Sequence, residues 1–223
     1  MKEINRKNFI KVIATGAVAL FLGGCSDSAA ETKTAESKSI SGGSKMKIVV
    51  INSSPHSEIE STSRYLAQKF IEGAKSAGHE IFTFDAAKEE TNPCQGCNHC
   101  GMDGPCIFND AISTKLMPEM LNADLLVLVT PLYYYGMSAQ LKIIIDRFYS
   151  RTEKLHHKKS LLLATAWNSA DWTFTALQTH YETLVRYMQW ENIGAVYGLG
   201  CGYRSAVESS QFGDDAYKIG ANL

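Results

Sequence analysis

From Met46 to Leu223 the sequence predicts an α/β domain, with a doubly wound, five-stranded parallel sheet between two layers of helices. Three observations carry this expectation. Short apolar runs rich in Val, Ile and Leu recur along the stretch without the alternation of a half-exposed strand, as in strands covered on both faces. Between them lie segments whose apolar residues repeat at helical spacing. The runs end in Ser, Asn, Thr-Pro or Gly clusters, the turn signals that join strand to helix.

Lys47-Ile48-Val49-Val50-Ile51 is the first expected strand, and Asn52-Ser53-Ser54-Pro55 stops it. A helix follows from about Ser63, with Leu66, Phe70, Gly73 and Ala77 on one face and Gly78 as its stop. Glu80 to Phe84 reads as a second strand. Leu125 to Val129 reads as a third, fully apolar one running into Thr130-Pro131. Leu141, Ile145 and Phe148 mark the next helix, Ser160 to Ala166 a fourth strand, and Leu177, Tyr181, Leu184 and Met188 another helix. Ile193 to Tyr197 is the fifth strand, and residues 214–220 suggest a closing helix. In such a sheet ligands sit at the C-terminal ends of the strands, beside the topological switch point.

The N-terminal residues follow a different logic. A basic stretch ending at Lys11 precedes the apolar run Val12 to Leu22, about half of the ~20 apolar residues a membrane-spanning helix needs. That is a secretory signal pattern. Leu22-Gly23-Gly24-Cys25 resembles the lipobox of bacterial lipoproteins, which implies cleavage before Cys25 and its acylation. Residues 26–45 are small and polar with one large apolar side chain, so they cannot bury enough surface to fold. The expected organisation is a signal peptide at 1–24, a flexible lipidated tether at 25–45 and the globular domain at 46–223, anchored on the outer side of the cytoplasmic membrane. Asn5-Arg6-Lys7-Asn8-Phe9-Ile10-Lys11 resembles the twin-arginine export signal, with Lys7 in place of the second arginine.

Charge narrows the ligand class. The whole chain is formally at -1, but Lys2, Arg6, Lys7 and Lys11 against Glu3 fall in residues 1–24, leaving 18 basic and 22 acidic side chains beyond them. A domain at -4 has no broad basic face for a phosphate backbone, which argues against nucleic acid and for a small molecule. Six hydroxyl side chains, Ser53, Ser54, Ser57, Ser61, Thr62 and Ser63, crowd the turn after the first strand. Hydroxyls and free backbone N–H groups ahead of a helix suit a phosphate dianion, which also gains from the helix dipole. Neither a Walker loop nor a Gly-x-Gly-x-x-Gly turn is present. At the end of the third strand a proline-started turn bears Tyr133, Tyr134 and Tyr135, flat side chains suited to lie beside an aromatic ring system. Ala166-Trp167-Asn168, after the fourth strand, should border the same crevice.

These segments resemble the NADPH-dependent FMN reductase family. Ser53-Ser54-Pro55-His56 with Ser61-Thr62-Ser63 is similar to its FMN phosphate loop, with His56 where an arginine is common. Pro131-Leu132-Tyr133-Tyr134-Tyr135-Gly136-Met137, continuing through Asp146-Arg147, is similar to its isoalloxazine loop and following helix. The resemblance implies a flavodoxin-like fold, bound FMN, NAD(P)H as electron donor, reduction of quinones, flavins or other small acceptors, and a homo-oligomer. Cys94, Cys97, Cys100 and Cys106 form a C-x2-C-x2-C-x5-C run that resembles the compact motif of iron-sulfur flavoproteins. Four thiols so spaced suit a 4Fe-4S cluster, a tetrahedral zinc, or, in an oxidising compartment, disulfides. Export sets the donor in question, because NAD(P)H is cytosolic; a quinol or a redox protein partner would then feed the flavin. The alternative function is an electron-transfer module that passes electrons between protein partners.

Overall fold

The computed structural model describes residues 44–223; the expectations for residues 1–43, the acylated Cys25 among them, lie outside the described residues. Five strands, β1 (Lys47–Asn52), β2 (Glu80–Asp85), β3 (Leu125–Tyr133), β5 (Lys159–Thr165) and β6 (Glu191–Gly198), pair in parallel in the order β2-β1-β3-β5-β6. A sixth, β4 (Gly136–Met137), folds back antiparallel on the end of β3. This is the flavodoxin order, with its switch point between β1 and β3.

Both faces of the sheet are buried, which is why its strands read as unbroken apolar runs. Val49, Ile51, Leu126, Leu128 and Leu162 pack against α2 (Met117–Asn122), α3 (Ala139–Arg147) and α4 (Thr175–Met188). Ile48, Val50, Leu125, Val127 and Leu163 point the other way, into α1 (Thr62–Ser76) and α6 (Phe212–Ala221). Alternate residues of one strand thus feed two separate cores. The α1–α6 contact is close enough to require glycine on both sides. A Cβ on Gly73 would sit 2.2 Å from the Tyr217 carbonyl oxygen, and one on Gly220 would sit 2.3 Å from that of Phe70.

Several boundaries differ from the sequence expectation. The third strand continues to Tyr133, so Thr130 to Tyr133 is extended chain pairing with β4 and β5 where a turn was expected. Pro131 is tolerated because it lies at the C-terminal end of the ladder, where few bonds remain to be made. The first helix begins at Thr62, with Ser61 as N-cap accepting from the Arg64 N–H. Ala77 falls beyond its end and is exposed, and Ala74 takes the inner position instead. A π-helical turn at Ile112–Leu116 leading into α2, and the short α5 (Arg204–Glu208), carry too few periodic residues to show in the sequence.

Candidate functional site

The loops that leave the C-terminal ends of β1, β3, β5 and β6 enclose a crevice of about 530 Å³. Nine of the residues expected from sequence line it: Ser54, His56, Ser61, Thr62, Pro131, Leu132, Tyr133, Ala166 and Trp167. A network at its floor fixes the first loop. The Ser61 hydroxyl donates to Ser54 Oγ at 2.8 Å while accepting the Arg64 N–H at 3.2 Å, and the His56 N–H donates to Ser54 Oγ at 3.3 Å. Ser54 Oγ therefore serves twice as an acceptor and keeps its own proton for a ligand. Thr62 Oγ1 lies 2.8 Å from Thr165 Oγ1, which ties the start of α1 to the end of β5.

Arg64 shapes this loop from behind. Its Nη2 donates to the Ser54 carbonyl at 2.7 Å and to Asp85 Oδ1 at 2.9 Å, its Nε donates to the His56 carbonyl at 3.0 Å, and Nη1 pairs with Asp85 Oδ2 at 2.7 Å. The guanidinium thereby neutralises two carbonyl oxygens that an anion entering the loop would otherwise meet. No sequence pattern marks this role, because Arg64 is one polar residue in the first turn of α1 and its partner Asp85 lies 21 residues away.

The other expected residues serve the scaffold or face away from the crevice. Ser53 is buried: its hydroxyl donates to the Val129 carbonyl at 2.7 Å and accepts from Ser138 Oγ at 2.9 Å, joining β1, β3 and the N-cap of α3. Ser63 is likewise buried, 3.5 Å from Ser61 Oγ, and does not line the crevice. Pro55 is exposed. Tyr134 and Tyr135 form the tip of the β3–β4 hairpin with φ of 47° and 64°, the left-handed pair of a tight hairpin turn. Tyr134 projects wholly into solvent and Tyr135 packs on Trp172 at 4.8 Å, while Gly136 and Met137 form β4. Asn168 turns its side chain onto the Ala170 N–H at 3.1 Å. Conversely, Thr165 at the end of β5 lines the crevice unforeseen, as do Cys201, Gly202, Tyr203 and Arg204, brought there by the loop after β6. Burial raises the Tyr133 pKa, so its phenol remains a proton donor at neutral pH.

A second pocket, of about 20 Å³, gathers Cys94, Cys97, Cys100 and Cys106 with Arg147 and Tyr149. Four left-handed residues, Gly96, Asn98, Gly101 and Met102, coil the loop so that all four cysteines reach this pocket. All four are free thiols. Among the described residues no three His, Cys, Asp or Glu side chains converge in metal-binding geometry, so the spacing expected to hold a cluster or zinc is not drawn together here. Arg147 donates to the Asn92 carbonyl at 2.8 Å, to Asp110 at 2.7 and 3.2 Å and to Ser113 Oγ at 2.8 Å, but its buried Nε–H has no acceptor. Burial pushes the Asp110 pKa up, and the bonds from Arg147, Asn92 and Ser113 outweigh it, holding the carboxyl below its usual range.

A parallel sheet in this order, with loops converging on a mononucleotide-sized crevice at its switch point, defines a flavodoxin-like domain. The chain belongs to the family described as having a flavodoxin-like fold, whose model matches residues 46–206. It is 35% identical over 102 residues to an iron-sulfur flavoprotein of Methanocaldococcus jannaschii, covering 46% of this chain and 51% of that protein. The chain thus spans about half the length of the curated relatives it matches. Among solved structures, it superposes on an NAD(P)H:quinone oxidoreductase from Methanothermobacter marburgensis with a TM-score of 0.63 at 19% identity, over 81% of this chain and 98% of that one. An FMN-dependent NADH-azoreductase from Bacillus anthracis in complex with FMN gives a TM-score of 0.54 at 13% identity, over 79% and 96%. Both share its fold.

Proposed function

We propose that this protein is an FMN-binding oxidoreductase that passes electrons from NAD(P)H, or from a quinol or membrane partner if exported, to quinones, flavins or other small acceptors. The observation that carries the reading is the crevice, in which a hydroxyl-lined helix N-terminus and an aromatic loop meet at the switch point. Ser54 and Thr62 would hold the phosphate, with Ser61 fixing Ser54 from below and with aid from the α1 dipole and from Arg64 behind the loop. Pro131, Leu132 and Tyr133 would border the ring, with Ala166 closing the crevice from β5. Bound FMN supplies hydride and single-electron chemistry, and no acid-base triad of the chain is required. The residues bind, orient and shield. The Tyr133 phenol keeps its proton and can donate a hydrogen bond.

A second reading adds a 4Fe-4S cluster on Cys94, Cys97, Cys100 and Cys106 and makes the protein an electron-transfer module. It rests on the C-x2-C-x2-C-x5-C spacing and on the lining of one small pocket by all four cysteines, although their thiols do not converge in metal-binding geometry among the described residues. Membrane anchoring through acylated Cys25 accompanies either reading as a proposal.

One preparation separates the two. Protein purified without oxygen and loaded with FMN should oxidise NADH rapidly with menadione as acceptor. Iron and acid-labile sulfide at about four each per chain, with negligible NADH turnover, would instead select the electron-transfer module.

A further inference from the structure

Resting on the FMN reading above, we infer that Trp167, held flat on Gly202 and braced by Tyr203, is an acceptor-selecting wall that favours planar aromatic substrates over compact, non-aromatic ones. Trp167 is 66% exposed and Tyr203 60% exposed, yet neither is loose. The indole lies directly against the backbone of Gly202: a Cβ there would stand 2.7 Å from Cδ2 and Cε3 of the ring. Tyr203 meets the same indole edge-on, with centroids 4.4 Å apart and planes at 61°, a favourable aromatic geometry.

The next residue locks the wall in place. Arg204 Nη1 donates to the Glu58 carbonyl at 2.6 Å, its Nε pairs with Glu208 at 2.7 Å, and its guanidinium covers the Tyr65 ring at 4.6 Å. The loop after β6 is thus latched to the loop that follows β1, across 146 residues of sequence. Ser54, Ser61 and Thr62 lie on β1–α1 and Pro131, Leu132 and Tyr133 on β3, whereas this wall rises from the ends of β5 and β6, with Trp167 one of the residues expected from sequence to border the cofactor. A rigid aromatic face at the mouth of a crevice binds a flat partner at low entropic cost. Nε and Nη1 of Arg204 are committed to Glu208 and Glu58, so the wall itself is made by the faces of Trp167 and Tyr203.

The test compares Trp167→Ala, Gly202→Ala and Tyr203→Leu with the parent protein, using menadione as the planar acceptor and ferricyanide as the compact one. Gly202→Ala is the informative variant, because it displaces the indole without deleting it. Each variant should lower the ratio of menadione kcat/KM to ferricyanide kcat/KM by about tenfold, the loss of one aromatic stacking contact. An unchanged ratio in folded Gly202→Ala and Trp167→Ala protein would overturn the proposal. So would a loss of FMN affinity as large as the loss of menadione kcat/KM, since the wall would then belong to the cofactor. Absence of FMN binding by the parent protein would instead overturn the FMN reading itself.

Discussion

Arg147→Leu is expected to cost about 3–5 kcal/mol of stability, since it leaves the Asp110 carboxylate buried without its counter-charge. The two side chains are 2% and 3% exposed, and Arg147 also holds the Asn92 carbonyl and Ser113, so one guanidinium pins both ends of the segment that carries the four cysteines. For a domain of this size, the loss corresponds to a fall in Tm of roughly 6–20 °C, readable by circular dichroism. Replacing both partners by leucine should recover much of it, because the unpaired charge is then gone. The pH dependence has a defined sign. Asp110 is depressed in the folded state, so the pair's contribution is complete above the ordinary carboxylate pKa of about 3.9 and is lost as pH falls through the folded value. Arg147→Leu should flatten this acid limb. A variant with an unaltered Tm and acid limb would show that the pair does not secure the segment.

The second large effect is on the cofactor. Ser54→Ala with Thr62→Ala should reduce the preference for FMN over riboflavin by about 10²–10⁴-fold, since each hydroxyl bond to a charged group contributes roughly 1.5–3 kcal/mol. Ser54 and Thr62 both line the crevice, whereas Ser63, also expected at the phosphate from sequence, does not. Riboflavin lacks the phosphate, so its affinity should stay within a few-fold of the parent value. Fluorescence titration with both flavins reads the effect. A folded double variant that keeps its preference would remove the phosphate from this helix N-terminus.

The two-sided strands were legible because burial on both faces writes itself as an unbroken run, as in Val49 to Ile51 and Leu125 to Val129. Helix α1 was legible because its cap, Ser61, sits immediately ahead of an apolar stripe. The hairpin at Tyr134-Tyr135 was not: left-handed turn positions favour Asn or Gly, and two tyrosines there give no turn signal. Half of the crevice was legible for a related reason. Contacts made by residues next to a strand end, such as Ser54 and Trp167, follow from the topology alone. Tyr203 and Arg204 reach the crevice through a loop whose path is set by the latch to Glu58, and no local pattern encodes a bond of that span. The cysteine spacing was plain, whereas the Arg147–Asp110 pair that secures this segment joins residues 37 apart, and no local pattern encodes it.

The proposed FMN site is the crevice at the β1–β3 switch point. Calorimetric titration of the flavin-free full chain tests it most directly, with FMN, FAD and riboflavin in separate runs. One FMN is expected to bind per chain at micromolar affinity or better, with riboflavin weaker by the phosphate contribution and FAD weaker because no dinucleotide fingerprint is present to hold its pyrophosphate. Absence of FMN binding, or FAD binding as tight as FMN, would contradict it.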